Sequence, residues 1–245
     1  MNLRPVKVLE RETIGGHALL RYEWSGRKPE PGQFVGVKAG TASDPFLPRP
    51  FFVHDAEEGE ISLLFKVRGR GTESILYGGE QLLVSDPRGR GFELESASES
   101  GRAALVGGGV WVAPLRFLGR RLGEHGVDHS VYLEAPPEAS EEYLSWLRLA
   151  HPGAEVVSTD GSPGAFGASL EGLAGCGEVY VSGDRDTLRR VGRDRPDAQL
   201  ALRERMACMD GSCYGCVVPA VVGGGVSYKR VCVDGPVFIA WDLAW

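Results

Sequence analysis

Four of the five cysteines fall within twenty-five residues near the end of the chain, and nothing else in the sequence narrows the possible folds as far. Cys208, Cys213, Cys216 and Cys232 follow the spacing C-x4-C-x2-C, then fifteen residues and a fourth Cys. This is the spacing of plant-type [2Fe–2S] sites. Two sulfide-bridged irons need four converging thiolates, so the loop has to wrap around them. Gly211 and Gly215 are predicted to supply the positive φ angles and close backbone approach that wrapping requires. The loop N–H groups would then face the sulfurs and tune the potential. A hairpin from Val221 to Val231, turning at Gly223-Gly224-Gly225, returns Cys232 from the other side.

Three other readings of the cysteines compete, the weakest being buried, unligated thiols, which rarely crowd four into twenty-five residues. A structural zinc site usually shows two C-x2-C knuckles, and only Cys213 and Cys216 form one. Two disulfides would suit a small secreted chain, but the start, Met-Asn-Leu-Arg-Pro-Val-Lys-Val, has no apolar h-region. The spacing therefore favours iron–sulfur, and the location expected is cytoplasmic. Cys176 stands outside the set and reads as a buried apolar residue. With 245 residues, 42% of them hydrophobic, the chain has room for one large domain or two to three small ones. No apolar run approaches the ~20 residues of a membrane-spanning helix. A net charge of −6 argues against a nucleic-acid surface.

Residues 1–97 show β patterning. Short apolar and β-branched runs at His17–Trp24, Gln33–Lys38 and Ile61–Val67 are bounded by Pro31-Gly32, Glu58-Gly59, Gly78-Gly79 and Asp86-Pro87. Strands at this spacing predict a small antiparallel barrel. Arg49-Pro50-Phe51-Phe52 enters one strand, and an Arg fixed by its neighbour can meet a phosphate as a planar fork. Gly69-Arg70-Gly71-Thr72 follows another, offering N–H groups and a hydroxyl to a pyrophosphate at a helix start.

From 98 to 197 the pattern alternates between strand and helix. Strands are expected at Ala103–Gly107, His129–Glu134, Ala154–Ser158 and Glu178–Ser182. Helices are expected at Ala113–Leu122, Glu141–Ala150, Phe166–Leu173 and Asp186–Val191. This predicts a doubly wound parallel sheet. Gly107-Gly108-Gly109 lies where a dinucleotide would bind, and Glu134 is placed to accept from a ribose hydroxyl. Trp111 is bulky enough to obstruct that turn. His125 and His129 are four apart, but Gly126 breaks the helix a metal pair would need. Residues 198–245 form the small cysteine-bearing unit. The class expected is thus multi-domain: an antiparallel β-barrel, an α/β parallel-sheet nucleotide-binding-like domain, and a C-terminal [2Fe–2S] domain.

In order along the chain, Pro31-Gly32-Gln33-Phe34, Arg49-Pro50, Gly71-Thr72, Gly89-Arg90-Gly91-Phe92 and Gly107-Gly108-Gly109 resemble the ferredoxin-reductase-like flavoproteins. Glu204 to Cys208, Cys213 to Pro219 and Tyr228 to Phe238 are similar, more specifically, to the electron-transfer subunits of type B dihydroorotate dehydrogenase. The resemblance covers nearly the whole chain. It implies FAD on the barrel, held by Arg49, Pro50, Phe51, Phe52, Leu64, Phe65, Lys66, Gly71 and Thr72. It implies a [2Fe–2S] cluster on Cys208, Cys213, Cys216 and Cys232, and NAD on the middle domain. It also implies a partner, a catalytic subunit carrying FMN, in a heterotetramer of two of each. Electrons would pass from the FMN through the cluster and FAD to NAD, in pyrimidine synthesis.

Three departures from the family pattern stand out. Phe52 takes the place of a hydroxyl residue, Trp111 that of a glycine, and Ser182 to Thr187 replaces a Cys- and Pro-containing motif with Asp184 and Asp186. The last two lie in one site, count against NAD there, and point to another acceptor. Two rival functions remain at this level. One is a reductase subunit working between ferredoxin or a sulfur-reducing enzyme and NAD(P)H. The other is a non-catalytic iron–sulfur redox sensor.

Overall fold

Five of the twelve residues of the first strand are charged, too polar a run to stand out in sequence, yet it closes a barrel. Six antiparallel strands, β1 (Leu3–Ile14), β2 (His17–Glu23), β3 (Phe34–Ala39), β4 (Arg49–Glu57), β5 (Glu60–Lys66) and β6 (Gln81–Ser85), follow one another around it as β1-β2-β5-β4-β3-β6. Pairing of β6 with β1 closes the ring and leaves no open edge. Alternation sets the faces: on β2, Ala18, Leu20 and Tyr22 are buried while Arg21 and Glu23 are exposed. Helix α1 (Arg70–Tyr77) follows β5, with Gly69 at its N-cap. The computed structural model describes residues 2–40, 44–135, 137–160, 166, 173 and 175–245.

The central layer is a six-stranded sheet. Strands β7 (Arg102–Gly108), β8 (Asp128–Ala135), β9 (Glu155–Ser158), β10 (Glu178–Ser182) and β11 (Gln199–Ala201) are parallel. β14 (Val237–Ile239) adds antiparallel to β11, giving the order β14-β11-β10-β7-β8-β9. β7 is buried from Ala103 to Gly108, as expected of a parallel strand covered on both faces. Helices α2 (Glu95–Ser100), α3 (Leu115–Glu124), α4 (Glu141–Ala150) and α5 (Arg185–Asp194) complete the described elements of this layer. The helix expected over Phe166–Leu173 falls largely outside the described residues. Strands β11 and β14 lie in the 198–245 segment that the sequence assigns to the cluster unit, yet they extend the central sheet. The rest of that segment carries a hairpin, β12 (Val217–Val222) and β13 (Gly225–Arg230). It turns on Gly223 and Gly224, both with positive φ, as a two-residue loop joining twisted strands demands.

Two contacts fix the three parts. On β4 a register shift between Val53 and Asp55 breaks the alternation, so Val53, His54 and Asp55 are all buried. The bulge turns His54 and Asp55 toward the sheet domain. A ring nitrogen of His54 meets the Ala113 carbonyl at 2.8 Å, and Asp55 accepts from Arg116 at 3.2 Å and Arg120 at 2.7 Å. On the other side, one core cluster joins Phe34 of the barrel, Val106 and Val181 of the sheet, and Met209, Cys216 and Cys232 of the cysteine segment.

Candidate functional site

The cysteine loop is built by backbone that avoids regular structure. Met209, Gly211 and Tyr214 have φ of 57°, 89° and 55°. Gly211 fulfils its expected part, because a Cβ there would also press on Val233 at 2.8 Å. Gly215 does not: its φ is not among the positive ones, and Met209 and Tyr214 carry the left-handed turns instead. Such a conformation costs a non-glycine residue about 1–2 kcal/mol, so the neighbours must hold it. Arg230 does this for the loop. Its guanidinium bonds Asp234 at 3.1 Å, reaches the Gly211 carbonyl at 3.4 Å, and lies 5.3 Å from the centre of the Tyr214 ring. Arg88, from the barrel side, donates to the Met209 carbonyl at 2.6 Å. Neither arginine was singled out in the sequence, although Arg230 and Asp234 flank Cys232 symmetrically, a pattern that could have pointed to them.

The four thiols come together as two pairs. The Cys213 N–H donates to Cys208 Sγ and the Cys232 N–H to Cys216 Sγ, both at 3.4 Å. The thiols interact within the same pairs, and Cys232 also senses Cys208. Gly215 N–H donates to Cys213 Sγ at 3.4 Å, which is the role this glycine does play. Burial acts to raise the Cys208 thiol, but the N–H groups of Asp210 and Cys213 outweigh it and bring the group down to about 7. Burial, followed by contact with Cys216, pushes Cys232 up to about 12. A single ion draws its ligands to one point, and among the described residues no three metal-binding side chains do that. A two-iron cluster takes its four thiolates as two and two, and the donor set fits that group. Cys216 and Cys232 are buried, Cys208 is half-buried and Cys213 exposed, so one side of the site reaches the surface. Cys176 is half-buried and outside the set.

Beside this loop, a cleft opens where the barrel meets the turn after β7. Pro50, Phe51 and Phe52 from β4, Leu64 and Phe65 from β5, Val110 and Trp111 from the turn, and Leu202, Arg203, Glu204 and Met206 line it, the last leading directly to Cys208. Five of the nine flavin-site residues expected from the sequence therefore share one apolar wall. Lys66 is exposed at the end of β5. The segment from Leu202 to Met206 was not foreseen as cleft lining, because it carries no regular pattern.

Arg49, Gly71 and Thr72 form a second, polar part. Gly71 is buried, and a Cβ on it would overlap the Arg49 guanidinium, which lies against the first turn of α1. A guanidinium at the positive end of a helix is unfavourable unless an anion sits between them, so this cradle suits a phosphate group. Thr72 departs from the expectation. Its hydroxyl accepts from the N–H of Arg68 at 2.9 Å and donates to the Gly69 carbonyl at 2.9 Å. It shapes the turn and is already engaged.

At the far side of Trp111, the carboxyl ends of β7 and β10 face a crevice. The Arg203 guanidinium lies 5.3 Å from the centre of the Trp111 ring, and Tyr143 donates to the Gly109 carbonyl at 2.6 Å. Asp184 caps α5, accepting from the N–H groups of Asp186 at 2.9 Å and Thr187 at 2.8 Å. Glu134 accepts from the Thr159 hydroxyl at 2.8 Å. Its carboxyl is held above the usual range, first by burial and then, against the Thr159 bond, by Asp184 and Glu138.

Residues 203–244 match the model of the iron-sulfur cluster binding domain of dihydroorotate dehydrogenase B. The chain is 35% identical to "Dihydroorotate dehydrogenase B (NAD(+)), electron transfer subunit" of Caldanaerobacter subterraneus subsp. tengcongensis, across 97% of this chain and 96% of that one. It is 36% identical to the subunit of the same name from Geobacillus thermodenitrificans, across 87% and 86%. Among solved structures it resembles the NADH-dependent reduced ferredoxin-NADP oxidoreductase, with a TM-score of 0.77 and 22% identity over 98% of this chain and 90% of that one. A ferredoxin NADP+ reductase from Neisseria gonorrhoeae, solved with bound FAD and NADP, aligns with a TM-score of 0.59 and 15% identity over 79% and 90%. These two likenesses establish a ferredoxin-reductase-like fold.

Proposed function

The chain belongs to the electron-transfer subunits of dihydroorotate dehydrogenase B, and we propose that it carries electrons from a dihydroorotate-oxidising catalytic subunit, through a [2Fe–2S] cluster and FAD, to a soluble acceptor. A cluster of this kind exchanges single electrons, and a flavin joins one-electron to two-electron chemistry. The observation that carries the reading is the pairing of four thiols, two and two, on a loop whose lead-in segment lines the apolar cleft.

Each residue's part follows from its surroundings. Cys208, Cys213, Cys216 and Cys232 hold the cluster, and the N–H groups of Cys213, Gly215 and Cys232 stabilise negative charge on the sulfurs. Arg230 and Arg88 keep the loop in its left-handed turns and against the barrel. Pro50 to Phe52, Leu64 and Phe65 present an apolar wall to a flavin ring and exclude water from it. Arg49, with the start of α1 at Gly71, takes the pyrophosphate. No general base is required in this subunit, because proton removal from dihydroorotate belongs to the partner.

The partner is the catalytic subunit, carrying FMN, in an assembly of two of each. Tyr214, 60% exposed beside the exposed Cys213, marks where it docks, since aromatic residues suit a desolvated interface. The compartment is the cytoplasm, where thiols stay reduced for iron. No helix among the described residues is long and apolar enough to cross a membrane. The relatives carry NAD(+) in their names.

The test is the visible spectrum, iron content and FAD content of anaerobically purified protein, with Cys213→Ser beside the wild type. Iron–sulfur and flavin bands that dithionite bleaches are expected, and Cys213→Ser should lose iron while retaining FAD. Protein without iron or flavin after reconstitution would end this reading.

A further inference from the structure

Open α/β sheets take dinucleotides outside the carboxyl ends of their strands, at the point where strand order reverses. In this sheet that point lies between β7 and β10, since β8 and β9 extend it one way and β11 the other. The crevice there does not suit a dinucleotide. Its α5 N–H groups, those of Asp186 and Thr187, are already bonded to Asp184. Asp184 lies near enough to Glu134 to raise the cost of ionising it, so a pyrophosphate would meet carboxylates in place of donors.

A wall also stands between the flavin cleft and the cavity beside the Asp184 turn. Trp111, Leu202, Arg203 and Glu204 line the cleft on one side and a second cavity, under α5 and the C-terminal residues, on the other. Trp111 is half-buried, with the Arg203 guanidinium over its ring, and Glu204 is ion-paired to Arg185 at 2.5 Å. Indole, guanidinium and carboxylate thus form a continuous partition anchored on the irregular segment that leads to Cys208.

We propose that Trp111, held by Arg203, is the specificity-determining residue on the acceptor side: its indole walls off the flavin cleft, so that a nicotinamide ring does not reach the flavin. What the wall obstructs is passage of a hydride, two electrons with one proton, between reduced nicotinamide and flavin in either direction. The proposal rests on the flavin assignment of the cleft. Trp111 acts by occupying space, so a ring of similar bulk preserves its effect and a small residue abolishes it.

The test uses the full chain loaded with FAD and cluster, mixed anaerobically with NADH, as wild type, Trp111→Gly and Trp111→Phe. Closing or opening the approach to a reacting centre changes rates on the order of 100-fold, so flavin bleaching in Trp111→Gly should outrun the wild type by about that factor. Trp111→Phe should stay within about threefold of the wild type, as expected where retained bulk matters more than hydrogen bonding. Calorimetry with NADH should show binding about tenfold tighter in Trp111→Gly, equivalent to about 1.4 kcal/mol. Trp111→Val serves the same purpose if the glycine variant does not fold. Wild-type bleaching as fast as that of the small-residue variants, or equal NADH affinities, would overturn the proposal alone. Absence of any FAD band in every variant, with dithionite bleaching none, would overturn it together with the reading beneath it.

Discussion

Two glycine-bearing turns run into helices, one in the barrel and one in the sheet layer, and they have opposite electrostatics. At α1 the turn brings the Arg49 guanidinium against the helix start, so two positive groups meet there. At α5 the turn from Ser182 to Thr187 brings its own carboxylate, and Asp184 satisfies the helix start from within the chain. The two starts differ in backbone, with φ of 154° at Gly69 and −67° at Asp184, and in the charge of the side chain that shares the turn. One suits a phosphate and the other is a closed cap. A glycine signature alone therefore does not identify a ligand site.

The two turns keep their separate characters only while the barrel stays docked on the sheet, and the largest expected effect falls on that junction. His54 and His151 are buried there, and both imidazoles are held far below the usual 6.5. Burial is the main cause, and it brings His54 to about 4 and His151 to about 3. A lowered folded-state value means that the folded protein keeps these rings neutral while the unfolded chain takes up protons. Their contribution to stability is therefore full above about pH 6.5 and is lost as pH falls toward 4 and then 3. The loss runs at about 1.4 kcal/mol per pH unit for each histidine. Urea midpoints between pH 7 and 5 should fall accordingly, and His54→Gln should remove about half of the slope. A flat profile would show that acid does not reach the junction first.

The second prediction sharpens the cradle. Hydrogen bonds to charged groups contribute about 1.5–3 kcal/mol each, so Arg49→Ala should weaken FAD binding on the order of 100-fold. Equilibrium release of FAD fluorescence measures it. Because Arg49 is remote from the cysteines in sequence and bonds none of them, iron content should hold. A variant that keeps FAD at wild-type affinity would move the pyrophosphate elsewhere and remove the contrast with α5.

The meeting of Arg49 with Gly71 and the pairing of the cysteines were legible in sequence for a shared reason. Their chemistry needs particular residue types at short spacing, such as C-x4-C-x2-C or an Arg-Pro followed by Gly-x-Gly-Thr, and such patterns survive without three-dimensional information. What escaped reading depends on distant partners. Trp111 was visible as a bulky residue in a glycine turn, but Arg203, whose guanidinium covers it, lies ninety-two positions away. β1 was not marked because charged residues interrupt its apolar ones, and β6 because five residues carry little period. β11 and β14 escaped because three residues carry too little period to read. Gly215 shows the opposite error. A glycine in a wrapping loop invites the left-handed conformation, yet Met209 and Tyr214 adopt it, since Arg88 and Arg230 hold their neighbourhood in place.

The smallest effect tests the closed cap, and it needs two variants to separate cap from charge. Asp184→Ala removes the acceptor for two N–H groups at the start of α5, and loss of an N-cap costs about 1 kcal/mol. For a chain of this size that corresponds to a fall of about 2–4 °C in Tm. Asp184→Asn retains a capping oxygen and discards only the charge, so its Tm should lie within about 1 °C of the wild type, Asn being as good a cap as Asp. Neither substitution should admit NADH to the flavin, because Trp111 and Glu134 remain. If Asp184→Asn alone brought NADH bleaching up to the rate expected of Trp111→Gly, the carboxylate and not the indole would be the barrier. The difference between the two turns would then reduce to a single charge.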